Sequence, residues 1–179
     1  GSTGLELWKS DGTAAGTVLV KDIRPGPGNS APQDPIVSNG LLFFRANDGI
    51  HGRELWKSDG TAAGTVLVKD IYPNDSSFPT DLTDVNGTLF FGAKTSEYDR
   101  ELWKSDGTEA GTVRVRDIYP GSDEGSYPSD LLNVDGTLFF SATSAEYARE
   151  LWKSDGTEAG TVLIKDINPG GEQAGRYSY

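Results

Sequence analysis

The sequence contains no cysteine and no methionine, a single histidine, and fewer basic than acidic side chains. Without cysteine there can be neither disulfides nor thiolate metal sites. One histidine, His51, gives a zinc site or a Ser-His-Asp triad almost nothing to build on, and is expected to be a solvated loop residue. With 16 Lys and Arg against 27 Asp and Glu, the formal net charge is −11. That balance lacks the basic face that nucleic acid or an anionic membrane surface requires, so neither is an expected partner. No apolar run approaches the ~18 residues of a spanning helix, so helical membrane insertion is not expected, and no signal-peptide pattern opens the chain. The absence of both sulfur residues suits an oxidising exterior.

What is present is turn-rich and periodic. Hydrophobic residues make up 35% of the 179, alongside 23 Gly and 9 Pro, a composition shared by disordered chains and by all-β folds with many turns. The spacing decides between them. Glu-Leu-Trp-Lys-Ser-Asp-Gly-Thr occurs at 6–13, 54–61, 101–108 and 150–157, with its tryptophan at Trp8, Trp56, Trp103 and Trp152. The tryptophans step by 48, 47 and 49 residues, and a fixed period in this range signals a repeat architecture.

Within each full unit the order is the same. A short apolar strand is followed by Asn39-Gly40, Asn86-Gly87 or Asp135-Gly136, then by a strand carrying Phe43-Phe44, Phe90-Phe91 or Phe139-Phe140. Asn-Gly or Asp-Gly between apolar runs predicts a tight hairpin, because a type I′ turn needs positive φ at both central residues. A loop then leads to the Glu-Leu-Trp-Lys-Ser strand, and Asp-Gly-Thr-x-x-Gly-Thr reverses the chain into a fourth strand ending in Asp-Ile. In that strand Val66 and Val68 share one face, expected to be buried, while Leu67 is replaced by Arg114 in the third copy, which predicts an outer position. The connectors are rich in Pro, Gly, Ser and Asp and read as surface linkers.

The expectation is an all-β fold of tandem four-stranded antiparallel repeats of about 48 residues, β-propeller-like blades, three full plus one half unit. The divisions are residues 1–31 (third and fourth strands and a linker), 32–78, 79–127, and 128–179 with the start of a next connector. Such sheets are apolar on both faces and must stack, with the tryptophan and the Phe-Phe pair filling the space between blades. A leading half unit without its first two strands leaves edges in need of a partner, either further repeats of a longer chain or other copies of this one.

The Glu-Leu-Trp-x-x-Asp-Gly-Thr core, its trailing Gly-Thr and the Val-x-Asp-Ile strand resemble the ELWxxDGT repeat family. The resemblance covers nearly the whole chain and implies a bacterial, secreted, propeller-like repeat protein, extracellular or at the cell surface. It brings no catalytic residues. The functional expectation is a non-catalytic structural or adhesive repeat protein, with a glycan- or calcium-binding module as the alternative.

Several residue types in the repeat could carry chemistry. Asp11, Asp59, Asp106 and Asp155 precede glycine in every unit; a turn-forming carboxylate is the expected role, a calcium ligand the alternative. Asp84-x-Asn86-Gly87 carries only part of a calcium-loop pattern, so no cofactor is expected. Asp22, Asp70, Asp117 and Asp166 are expected to be bonded or salt-bridged, with Lys9, Lys57, Lys104 and Lys153 as possible partners. Arg53, Arg100 and Arg149 precede each Glu-Leu-Trp; recurring once per unit, they point to three separate sites and to pairing with a glutamate or strand-edge charge. The tryptophans read as packing rather than sugar platforms. The loops around Tyr98 and Tyr147 are the better ligand candidates.

Overall fold

The computed structural model describes residues 3–73, 75–121, 124–167 and 169. The start of a next connector, expected at the end of 128–179, falls mostly outside the described residues. Among the described residues fourteen strands form four antiparallel sheets. The first sheet pairs β1 (Leu7–Lys9) with β2 (Val18–Lys21). The second is a meander of β3 (Gln33–Ser38), β4 (Leu41–Asn47), β5 (Arg53–Ser58) and β6 (Val66–Lys69). The third follows the same order with β7 (Thr80–Val85), β8 (Thr88–Lys94), β9 (Arg100–Ser105) and β10 (Val113–Arg116). The fourth is β11 (Ser129–Val134), β12 (Thr137–Ala142), β13 (Glu150–Ser154) and β14 (Val162–Lys165).

The hairpins follow from the turn residues. Asn39 and Gly40 have φ of 47° and 77°, Asn86 and Gly87 of 52° and 83°, Asp135 and Gly136 of 49° and 82°. These are the values a type I′ connection demands, and they fix the register so that Ser38 opposes Leu41, Val85 opposes Thr88 and Val134 opposes Thr137. First strands β3, β7 and β11 approach one another, while the fourth strands show no comparable approach. The sheets therefore fan outward from their first strands, as the blades of a propeller do.

Stacking uses the two faces of each sheet differently. The core between the second and third sheets takes Phe43, Leu55, Val68 and Ile71 from one side, and Leu89, Phe91, Ala93 and Trp103 from the other. The next core repeats this with Phe90, Leu102, Val115 and Ile118 against Leu138, Phe140, Ala142 and Trp152. Between the half sheet and the second sheet, Leu7 and Ile23 meet Phe44, Ala46 and Trp56. One phenylalanine of each pair thus points forward and the other back, because neighbours in a strand face opposite ways. Each buried side chain of this size is worth roughly 1.5–3 kcal/mol, so the inter-sheet cores dominate stability.

Among the described residues no sheet lies beyond either end of the stack. Trp8, equivalent to the sealed Trp103, is 51% exposed, and the forward face of the last sheet presents Leu151, Ile164 and Ile167 at 38%, 42% and 64%. The connectors depart from the expectation of plain surface linkers: Ser30, Ser77 and Ser126 within them are completely buried.

Candidate functional site

The Glu-Leu-Trp-Lys-Ser-Asp-Gly-Thr-x-x-Gly-Thr segment is the densest polar construction in the molecule, and each letter has a physical job. In the second unit, Asp59 Oδ1 accepts from the Thr61 backbone N–H (2.8 Å) and from Thr61 Oγ1 (2.7 Å). Thr61 Oγ1 in turn accepts from Gly64 N–H, and Ser58 Oγ accepts from Gly60 N–H. Ser58 Oγ also bonds the buried Thr65 Oγ1, which donates to Thr61 O. The same set recurs around Asp11, Asp106 and Asp155. The threonine bonds hold these exposed aspartates below the ordinary carboxylate range. Gly60 sits at φ 85°, and Gly64 is glycine because a Cβ there would lie 2.1 Å from Asp59 Oδ1.

The lysines do not reach the strand-four aspartates as expected. Lys57 Nζ donates to Gly107 O of the next unit at 2.8 Å, and Lys9 and Lys104 do the same to Gly60 O and Gly156 O. A second clip follows from strand four, where Lys21, Lys69 and Arg116 donate to Thr65 O, Thr112 O and Thr161 O. These lysines therefore find their acceptors in backbone carbonyls across the inter-sheet gap rather than in carboxylates. Asp117 Oδ2 pairs with Arg114 at 3.4 Å, whereas Oδ1 of Asp22, Asp70 and Asp117 is buried without a hydrogen-bond partner. The expected salt-bridged role thus holds for Asp117, with Arg114 and not a lysine as its partner.

The glutamate that opens the signature was missed in the sequence. Glu54 is completely buried. Its carboxylate accepts from Ile71 N–H (3.1 Å), Ser77 N–H (2.7 Å) and Ser77 Oγ (2.5 Å). Glu101 does the same with Ile118, Tyr119 and Ser126, and Glu6 with Ile23, Arg24 and Ser30. Each glutamate thereby latches the end of strand four and the connector onto strand three. Burial pushes Glu54 and Glu101 up to about 7, against the downward pull of the serine and backbone donors.

The remaining candidates lie apart from one another. Among the described residues Arg53, Arg100 and Arg149 form no salt bridge with a glutamate, which corrects that part of the expectation. Arg53 Nη1 bonds Gln33 Oε1, Arg100 Nη1 bonds Phe78 O and Thr80 Oγ1, and Arg149 bonds Ser129 Oγ and Tyr127 O. Each arginine ties its own third strand to the start of its own first strand. There the cavity of about 510 Å³ along the first strands is lined by Asp34, Ile36, Arg45, Thr80, Asp81 and Leu82. Arg45 Nε meets Asp34 Oδ2 at 2.8 Å. His51 is not simply solvated: Asp48 Oδ2 bonds its Nδ1 at 2.6 Å and that bond raises its pKa. Asp84, from the partial calcium pattern, accepts from Ser38 Oγ and Gly87 N–H. Among the described residues no three His, Cys, Asp or Glu side chains are grouped to hold a metal ion. Tyr98 is 52% exposed, and Tyr147 is half-buried in a groove between the third and fourth sheets.

The class these features define is an all-β protein of stacked, propeller-like four-stranded sheets. No family model matches the chain, and no curated protein matches it. Among solved structures it is similar to a crystal structure of a puromycin hydrolase mutant complexed with PGG. The TM-score is 0.56 at 17% identity, covering 92% of this chain and 25% of that one. The chain thus spans about a quarter of the length of that structure, and the likeness is one of fold.

Proposed function

We propose that this chain is a structural or adhesive extracellular repeat protein of the ELWxxDGT kind, working without catalysis by stacking its sheets against further sheets of the same design. The observation that supports this is the pair of open end faces. The forward face with Leu151, Ile164 and Ile167 repeats positions that fill the forward half of the internal interfaces, and Trp8 stands where Trp103 and Trp152 stand in their backward halves. A repeat unit, from the same polypeptide or a second copy, is the partner whose chemistry fits both. The placement outside the cell rests on the lack of cysteine and methionine and on the net charge of −11. The puromycin hydrolase likeness contributes a fold and no activity to this reading.

Sedimentation velocity over a concentration series tests it. The chain is expected to associate reversibly through its ends, and Leu151→Asp with Ile164→Asp is expected to return it to a monomer. A wild-type chain that stays monomeric at every concentration overturns the reading.

A further inference from the structure

Three positions in each connector and the sheet that follows it are backbone-equivalent from unit to unit, yet their side chains differ. Arg24, Tyr72 and Tyr119 each follow the isoleucine whose N–H bonds the buried glutamate. Ala31, Phe78 and Tyr127 donate their N–H groups to Leu5 O, Arg53 O and Arg100 O, and share φ of 45–47°. Asn47, Lys94 and Thr143 donate theirs to Ser30 O, Ser77 O and Ser126 O. Entering the third sheet, the three positions hold Tyr72, Phe78 and Lys94. The Lys94 ammonium lies 5.4 Å from the Tyr72 ring centroid and 5.3 Å from that of Phe78. Both distances fall within the roughly 6 Å at which a ring face attracts a cation. Entering the fourth sheet, the same positions hold Tyr119, Tyr127 and Thr143, so the two rings recur and the ammonium does not. Entering the second sheet they hold Arg24, Ala31 and Asn47, without a ring.

We propose that Tyr119 and Tyr127 bind the alkylammonium group of a ligand, in the place that Lys94 fills one repeat earlier. Tyr127 is 42% exposed and Tyr119 half-buried, and among the described residues no lysine or arginine lies over either ring. The surrounding charge favours a cation. Burial raises the Tyr127 hydroxyl above its ordinary range, the Arg100 guanidinium lowers it, and Glu124 and Asp99 raise it further. Arg100 is held by Phe78 O, Thr80 Oγ1 and Gly92 O, and Asp99 meets Arg114 at 3.6 Å. That leaves the exposed Glu124 carboxylate to face an added cation. The net charge of −11 draws cations towards the whole chain. The site belongs to an internal junction and does not rest on stacking between end faces.

The test titrates the chain with choline and with Nα-acetyl-lysine methylamide at constant ionic strength. Tyrosine ring signals are followed by NMR up to about 100 mM ligand, well above a weak Kd on the order of 10 mM. With at least one of the two, the Tyr119 and Tyr127 signals are expected to move saturably. Tighter binding of choline identifies a quaternary ammonium ligand, and tighter binding of the lysine derivative identifies a lysine side chain of a partner. The uncharged carbon analogues (dimethylbutanol for choline, the norleucine derivative for lysine) should bind at least about tenfold more weakly. Thr143→Lys places the protein's own ammonium between the rings, as Lys94 does, and should weaken binding at least about tenfold, as should Tyr119→Leu. Thr143→Lys copies a residue the preceding repeat already carries, so it gives the answer even where Tyr119→Leu fails to fold. No saturable movement with either ammonium overturns the proposal. So does equal binding of the uncharged analogue, or wild-type affinity in either variant.

Discussion

Replacing Glu101 by Gln should change how stability depends on pH more than it changes stability itself. Glu101 is 1% exposed and is pushed from the ordinary 4.5 to about 7. Where the native state alone holds the proton, stability falls as pH rises, because the unfolded state gains by ionising and the buried carboxyl does not. The contribution is complete below pH 4.5, is lost progressively as pH rises from 4.5 through 7, and changes no further above that. The 2.5-unit difference (7 − 4.5) at 1.36 kcal/mol per unit amounts to about 3 kcal/mol, to the nearest kcal/mol or two. Glutamine is neutral throughout, so it removes this slope. It also costs about 1–3 kcal/mol at every pH, because its amide nitrogen cannot accept from the Ile118 or Ser126 donors that the carboxyl serves. Urea unfolding followed by tryptophan emission at a series of pH values from mildly acidic to mildly alkaline measures both effects. The variant should be the weaker protein on the acid side, and the gap should close by about 3 kcal/mol towards the alkaline side. A gap constant across the series would show that the carboxylate is ionised throughout and would refute the reasoning. At the acid end the turn aspartates act in the opposite sense, since their depressed values give stability that is lost as pH falls through them.

Two further substitutions probe the reversal and the clip. Gly64→Ala forces Asp59 away from Thr61 and should cost about 1–2 kcal/mol through the lost bonds, whereas Gly60→Ala, with nothing within 4 Å of the new Cβ, meets only the backbone cost of φ 85°, about 1 kcal/mol; thermal midpoints of the two variants compare them. Lys57→Met removes the donor to Gly107 O while keeping the stem, and urea midpoints should register a loss of about 1 kcal/mol with no change in far-UV circular dichroism.

The parts of the fold that were legible in the sequence are those set by residues with only one way to behave. Asn39-Gly40, Asn86-Gly87 and Asp135-Gly136 announce their hairpins because so few residues accept positive φ. Phe43-Phe44 and Trp56 announce two apolar faces because bulk at adjacent positions must point both ways. The latch was not legible. Glu54 reaches donors 17 and 23 residues away, and nothing local distinguishes a buried glutamate at the head of a strand from a solvated one. The lysine clips were hidden for a related reason, as their acceptors are backbone carbonyls about one repeat further on, where any residue supplies the same atom. The connectors turn at Ala31, Phe78 and Tyr127, with φ of 45–47°, and the first strands bulge at Asp34, Asp81 and Asp130, with φ of 54–57°. Of these only aspartate carries even a weak signal for the left-handed region, so the bends could not be read from glycine or asparagine. The unpartnered indole nitrogens and carboxylate oxygens were invisible because they depend on which atoms the stacking of two sheets seals off.

The claim at the centre of this account is that the signature tryptophan is a plug between sheets, with a contribution set by whether a sheet lies in front of it. Comparing Trp103→Ala with Trp8→Ala by urea unfolding tests this directly, because both occupy the same place in the same eight-residue motif, one sealed and one 51% exposed. Trp103→Ala should cost about 3–5 kcal/mol and Trp8→Ala less than about 1 kcal/mol. Equal losses at the two positions would contradict the account, placing the tryptophan's role within its own strand and turn.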